Sequence, residues 1–240
     1  MPWQERYLDR YYRRRPGWID GTTEFHGICA SYLPRGGRIL EIGAGPSNPT
    51  SRFLAELGEL HGVDPDPAVR ANDSLSSAAA ISEDHYPFES SWFDGAVSNY
   101  VAEHVSDPVS HLREVHRVLK PGARYILRTP NRYHYVALGS AFTPHRFHLL
   151  VANWLRALDS DAHDPYPTVY RMNSESALRT LAARTDFEVE LLRHVEKEPS
   201  YGMAARLLFL AGMLYERVVN ATDRLGALRA NLFVVLRKRA

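Results

Sequence analysis

RILEIGAGPSNPT, residues 38–50, sets a short apolar run containing one acid against a turn of two glycines. Residues 38–42 have the length and apolar content of a buried strand, and Gly43 and Gly45 allow a tight turn with backbone close to a ligand. A helix follows. Ser47, Asn48 and Thr50 are its start signals, Phe53, Leu54 and Leu57 its apolar face, and Gly58 its stop. A second strand reads 59–63 and ends on Asp64, 19 positions after Gly45. That spacing is close to the roughly 20 residues expected for a ribose-binding acid, so the pattern is a nucleotide-binding βαβ unit.

The residue types around the glycines narrow the nucleotide. A dinucleotide fold usually has a third glycine where the helix packs on the strand; here Asn48 holds that place and Pro46 follows Gly45. A carboxylate beside the turn, Glu41, repels a pyrophosphate and attracts a cation carrying an amine or a sulfonium, directly or through water. S-adenosylmethionine is such a ligand, and a nicotinamide-dependent oxidoreductase is disfavoured.

Four motifs stand in order between about residue 36 and residue 131: EIGAGP at 41–46, VDPDP at 63–67, YPFESSWFDGAVSNYVAEHV at 86–105 and LREVHRVLKPGARYILRTPN at 112–131. In these the chain resembles the class I S-adenosylmethionine-dependent methyltransferases, in particular the subgroup with small-molecule substrates. The resemblance implies a Rossmann-like, doubly wound α/β sheet of seven strands, six parallel and the last antiparallel. It also implies S-adenosyl-L-methionine as cofactor, with S-adenosyl-L-homocysteine as product. Carried over residue by residue, Glu41, Gly43, Ala44 and Gly45 hold the methionine end, Asp64 takes the ribose hydroxyls and Pro65 flanks the adenine. Glu83 or Asp84 lies near the adenine amine, and Ser98 and Asn99 bound the other side of the cofactor.

Composition agrees with one catalytic domain. A chain of 240 residues can bury a sizeable core, and its formal charge of +1 gives no broad cationic field for nucleic acid. The basic runs at 13–15 and 237–239 read as solvated ends. Cys29 is the only cysteine, so no internal disulfide forms. The first residues, MPWQERYLDRYYRRR, lack the apolar segment of a secretory signal, and a cytoplasmic location is expected.

The single domain, 1–240, divides into a helical N-terminal cap (1–35), a cofactor-binding core (36–130), a substrate-covering insertion (131–172) and a C-terminal part of the core (173–240). In the family such a prefix often covers the active site, although its aromatics, Tyr7, Tyr11, Tyr12, Trp18 and Phe25, equally suit packing on the sheet. Residues 93–98 read as the fourth strand. Asp107 caps a helix with Pro108 in its first turn, and Val109, Leu112, Val115 and Leu119 repeat before ProGly ends it. His111 and His116 on that helix read as surface or packing residues. Residues 123–129 make the fifth strand.

The insertion that follows sits at the strand end where open α/β sheets bind ligands. It supplies Tyr133, His145 and His148 as expected substrate-binding residues. Proton acceptors are expected in His104, just after the fourth strand, and His134, just after the fifth, though His104 equally suits a packing role. His145 and His148 have a metal-like spacing but no identified third ligand, so no metal is expected. Ser174 caps a further helix ahead of the strand at 187–195, and the last strand is 231–237. Between them an apolar helix is expected near 203–219, whose LLFLAGMLY run of nine residues is too short to span a bilayer. It reads as packed on the domain or at a homodimer interface, or as a membrane-surface or lipid-acceptor element.

The function expected is methyl transfer to a small or medium-sized acceptor, most simply O-methylation of a natural product, sugar or lipid-like metabolite. N- or C-methylation and a non-catalytic cofactor-binding scaffold are the alternatives.

Overall fold

The computed structural model describes residues 2–81, 85–137, 166–199 and 203–239. Two compact units make up the chain. The first gathers Met1–Thr23, Asn131–Tyr166 and His194–Asn231; the second gathers Glu24–Pro130, Pro167–Arg193 and Leu232–Ala240. Residues 1–35 are thus shared between the units, and the late apolar helix folds with the N-terminal residues.

In chain order the elements are α1 (Trp3–Leu8), continued by a π-helical turn over Asp9–Arg13, then α2 (Gly21–Tyr32), β1 (Arg38–Ile42), α3 (Pro49–Ala55) and β2 (Glu59–Asp64). A 3-10 turn, Pro67–Ala71, leads to β3 (Ser77–Ala80) and β4 (Phe93–Asn99). Another, Ala102–His104, leads to α4 (Pro108–Val118) and β5 (Leu119–Pro130). Then come α5 (Glu175–Arg184), β6 (Phe187–Val195), α6 (Arg206–Asn220), a 3-10 stretch over Asp223–Leu228, and β7 (Asn231–Lys238).

The sheet has seven strands in the order β3-β2-β1-β4-β5-β7-β6, with β7 antiparallel. β1 lies between β2 and β4, with Glu41 opposite Gly62 on one side and Val97 on the other. The carboxyl ends of β1 and β4 are therefore adjacent at the point where the strand order reverses, which is where an open α/β sheet forms its ligand crevice.

Caps start the helices where the sequence signals them. Asn48, Asp107 and Ser174 each accept a backbone N–H of the first turn through the side chain. One strand has no counterpart in the sequence signals, and some boundaries differ from expectation. β3, built from Ser-Ala-Ala-Ala, has little strand propensity of its own and is set by parallel pairing with β2. β5 begins at Leu119 rather than 123, because Leu119 already pairs with Phe93; the register then shifts through Pro121 and Gly122, whose φ is +75°. Leu119 accordingly caps α4 and leaves the helical stripe. α6 begins at Arg206, three residues later than expected, and runs to Asn220.

Within the core His111 is buried as a packing residue. Its ring lies 3.4 Å from the Tyr86 hydroxyl and 3.2 Å from that of Tyr125, which in turn is 2.7 Å from Ser98 Oγ. Burial holds the imidazole down at about 4, against an ordinary 6.5. Between those values the unfolded chain binds a proton that the fold refuses. Stability from this side chain is therefore lost as pH falls from 6.5 through 4, by roughly 3 kcal/mol. His111→Gln, which keeps a donor and an acceptor without a titrating ring, flattens that part of the curve of urea midpoint against pH; an unchanged curve would assign the acid sensitivity elsewhere.

Candidate active site

The turn after β1 is built around close backbone approach. Gly43 has φ +72°, and its N–H donates to the Val63 carbonyl at 2.8 Å. A Cβ there would stand 2.2 Å from Val101 Cγ2, so any other residue forces Val101 to shift. Ala44 is buried and close to Gly62, where an added Cβ would come within 2.9 Å of the Ala44 methyl. Gly45, φ +51°, donates its N–H to Asp64 Oδ2 at 2.9 Å, while Asp64 Oδ1 accepts the Asp66 N–H at 2.7 Å. Asp64 is thus pinned by two amides, one from the glycine turn itself.

Asn48 replaces the third glycine with a brace. Its Nδ2 donates to the Ala44 carbonyl at 2.8 Å and to Ser51 Oγ at 2.7 Å, and its Oδ1 accepts the N–H groups of Thr50 and Ser51. Asn72 Nδ2 also reaches Ser51 Oγ, at 3.0 Å. With two donors on its oxygen, Ser51 directs its own proton to the Glu41 carboxyl.

Glu41 is 3% exposed. Burial raises its pKa to about 7, the Asp64 charge adds to that, and the Ser51 hydroxyl opposes it. Its Oε2 has no hydrogen-bond partner among the described residues. A buried carboxylate oxygen without a donor is a costly arrangement unless a cation or donor arrives with a ligand. Asn99 adds a second such atom. Its Nδ2 donates to Thr50 Oγ1 at 3.3 Å, but its buried Oδ1 has no partner among the described residues. Val97 pairs with Glu41, so Asn99 lies two positions further along the adjacent strand on the same face. Two unsatisfied acceptors beside a glycine turn fit the ammonium and sulfonium end of S-adenosylmethionine and do not fit a pyrophosphate.

The other expected cofactor residues divide. Pro65 is exposed after β2. The Ser98 hydroxyl is engaged by Tyr125 inside the core, which leaves its backbone, not its side chain, to border the site. Glu83 and Asp84 lie outside the described residues.

Past β4 the chain turns through Tyr100 at φ +59°, an unusual conformation for a large side chain. The Tyr100 hydroxyl accepts from Arg128 Nη2 at 2.6 Å. His104 is half-buried at the end of its 3-10 turn, with Nδ1 3.2 Å from the Pro167 carbonyl oxygen. A carbonyl only accepts, so Nδ1 carries the proton.

Glu103, which sequence reasoning missed, fastens this region. Its carboxylate accepts the Thr129 hydroxyl at 3.0 Å, and its carbonyl accepts the N–H groups of Val169 and Tyr170. Asn173 Nδ2 completes the chain with bonds to Thr129 Oγ1, 2.6 Å, and the Pro130 carbonyl, 3.1 Å. Burial pushes the Glu103 carboxyl up to about 7, against hydrogen bonds from its own amide and Thr129. The available signal was an acid that is buried although it stands beside His104 in the short run Val-Ala-Glu-His-Val.

In the first unit, His134 is buried between Tyr135, 4.2 Å away between ring centres, and Tyr215, 5.7 Å away. Its Nε2 stands 3.7 Å from Glu196 Oε2. Burial lowers its pKa to about 4, so the ring is neutral at physiological pH. Tyr133 is exposed, its N–H held by Asn131 Oδ1 at 3.1 Å. His145 and His148 lie outside the described residues. Among the described residues no group of three or more His, Cys, Asp or Glu side chains could hold a metal ion.

The strand order, the glycine turn and the buried acid beneath it define a class I S-adenosylmethionine-dependent methyltransferase. The family described as a methyltransferase domain matches residues 9–192, and the chain belongs to it. It is 26% identical over 176 residues to the ubiquinone/menaquinone biosynthesis C-methyltransferase UbiE of Edwardsiella ictaluri, covering 67% of this chain and 70% of that one. It is 28% identical over 258 residues to an uncharacterized 37.1 kDa protein in transposon TN4556 of Streptomyces fradiae, covering 92% and 72%. Among solved structures, YcgJ of Bacillus subtilis is similar with a TM-score of 0.57 at 19% identity, covering 91% of this chain and 99% of that one. The cyclase SpnF gives 0.56 at 16% identity, covering 96% and 86%. These structural likenesses are of fold.

Proposed function

We propose that the chain methylates the oxygen of a hydroxylated, small or medium-sized acceptor such as a natural product, sugar or lipid-like metabolite. The observation that carries this reading is His104. With its proton fixed on Nδ1 by the Pro167 carbonyl, the imidazole presents Nε2 as the basic atom, at the carboxyl end of β4 where an acceptor would lie. A hydroxyl holds its proton tightly near neutral pH, so its attack benefits from a positioned base. Bound S-adenosylmethionine supplies a methyl group already activated on a positively charged sulfur. Glu41 and Asn99 receive its ammonium end, and the glycine turn lets backbone close on it. Asp64, each oxygen holding one amide, keeps its remaining lone pairs for ribose hydroxyls.

The UbiE relatives are named C-methyltransferases, which favours a second reading, methylation at carbon of a hydroxylated ring. That reaction also begins with removal of a hydroxyl proton, so it uses the same base. Incubation with S-adenosylmethionine and a panel of phenols, sugars and isoprenoid alcohols, with mass and NMR analysis of products, separates an O-methyl from a C-methyl group. Tight cofactor binding without turnover on any of them would support the scaffold reading instead.

His104→Ala lowers kcat by roughly 10²–10⁴-fold and leaves cofactor affinity unchanged. An unchanged kcat would return His104 to a packing role.

A further inference from the structure

α6 is apolar on two faces. One seats Phe209 against the rings of Trp3, Tyr7 and Tyr12, at 6.1, 5.5 and 6.2 Å between ring centres, all within the first unit. The Tyr12 hydroxyl donates to Glu216 on the same side, 3.3 Å away. The other face is bare. Leu207, Leu214 and Val218 are 78%, 65% and 49% exposed, and with exposed Ala211 they fall on one helical stripe. A stripe of this kind on an otherwise well-packed helix marks a surface that is covered in use.

The neighbouring charge indicates what covers it. Arg6, Arg10, Arg14 and Arg206 line one cleft of about 660 Å³, and Arg206 immediately precedes Leu207. Asp9, also in the cleft, neutralises Arg14 at 2.6 Å. Arg13 beside it is paired with Glu5. Arg6, Arg10 and Arg206 have no carboxylate within ion-pair distance among the described residues. The chain as a whole carries only +1, so this positive charge is local. Among the described residues no helix is long and apolar enough to cross a membrane.

We propose that this face of the first unit docks on an anionic lipid bilayer. α6 lies in the interface plane, with Leu207, Leu214 and Val218 among the acyl chains and Arg6, Arg10 and Arg206 on the phosphates of the headgroups. Exposed leucines flanked by arginines are the chemistry of a peripheral helix, and each signal reinforces the other. The inference does not depend on which acceptor is methylated.

Flotation of the full chain with vesicles tests it. The protein is expected to rise with phosphatidylcholine–phosphatidylglycerol vesicles and to stay behind with phosphatidylcholine alone, and salt weakens the binding. Arg6→Glu with Arg10→Glu, or Leu207→Glu with Leu214→Glu, lowers the partition coefficient at least roughly tenfold. All four positions are exposed, so both variants keep the wild-type melting profile, and the salt titration on unmodified protein decides if either does not. Absence of binding to both vesicle types, or equal binding to both, overturns the proposal. So does a dimer in sedimentation that Leu214→Glu dissociates, which would give the stripe to a second copy of the chain.

Discussion

Glu41→Gln is expected to weaken S-adenosylmethionine binding by roughly 30- to 1,000-fold. The change removes one charge and little else. At about 4 Å in a partly screened site a charge pair is worth up to about 4 kcal/mol, and half of that already gives the lower figure. The pH dependence makes the prediction specific. With the free carboxyl at about 7, a cationic ligand must first expel a proton below that value, so affinity rises about tenfold per pH unit up to about 7 and then levels. Titration calorimetry in buffers of different ionisation enthalpy records roughly one proton released at pH 6 in the wild type. The glutamine variant shows none.

Stability moves the other way. From 4.5 to about 7 the fold retains a proton that the unfolded chain has given up, so this carboxyl makes the fold less stable as pH rises through that window. Glu41→Gln therefore melts no lower than the wild type at pH 8. Equal affinity in the two proteins, with no proton release in either, would remove Glu41 from the cofactor site.

Gly43→Ala carries the largest expected effect on the fold. The residue sits at φ +72°, where a side chain costs about 1 kcal/mol. The added methyl meets Val101 Cγ2 at 2.2 Å, a clash that forces a shift costing a further 1–3 kcal/mol. The melting temperature drops by roughly 5–15 °C, taking about 2–4 °C per kcal/mol for a chain of this size. Because the turn carries the Gly45 amide to Asp64, cofactor affinity falls too. Val101→Ala removes the clash but not the backbone strain, so the double variant is more stable than the sum of the singles by about 1–2 kcal/mol. Strict additivity would show that the two residues do not meet.

The parts of the fold written in local chemistry were legible in the sequence. The glycine turn, the caps at Asn48, Asp107 and Ser174, and strands rich in branched residues announce themselves within a few positions. β3 did not, because Ser77–Ala80 becomes a strand only through its partner. His111 was readable only as a surface or packing residue, because its bonds reach Tyr86 and Tyr125, and Tyr125 in turn reaches Ser98, residues that no periodicity brings together. The site divides on the same line. Glu41 and Asp64 stand out by type and spacing, whereas the Glu103–Thr129–Asn173 link depends on three separated segments meeting. The surroundings of His134 are hidden for a related reason, since one of the rings it packs on, Tyr215, lies 81 positions away.

The first unit is assembled from Met1–Thr23, Asn131–Tyr166 and His194–Asn231, and this discontinuity bears on how the chain is made. Trp3 and Tyr7 leave the ribosome some 200 residues before the ring they pack on, Phe209. Until then Trp3, Tyr7 and Tyr12 have only one another and Tyr11 and Trp18 to pack on, without the Phe209 ring at their centre. Synthesis therefore passes through a long interval in which this segment is open to proteases and chaperones, closed only when α6 docks on it. A truncation just before residue 206 would leave that interval permanent.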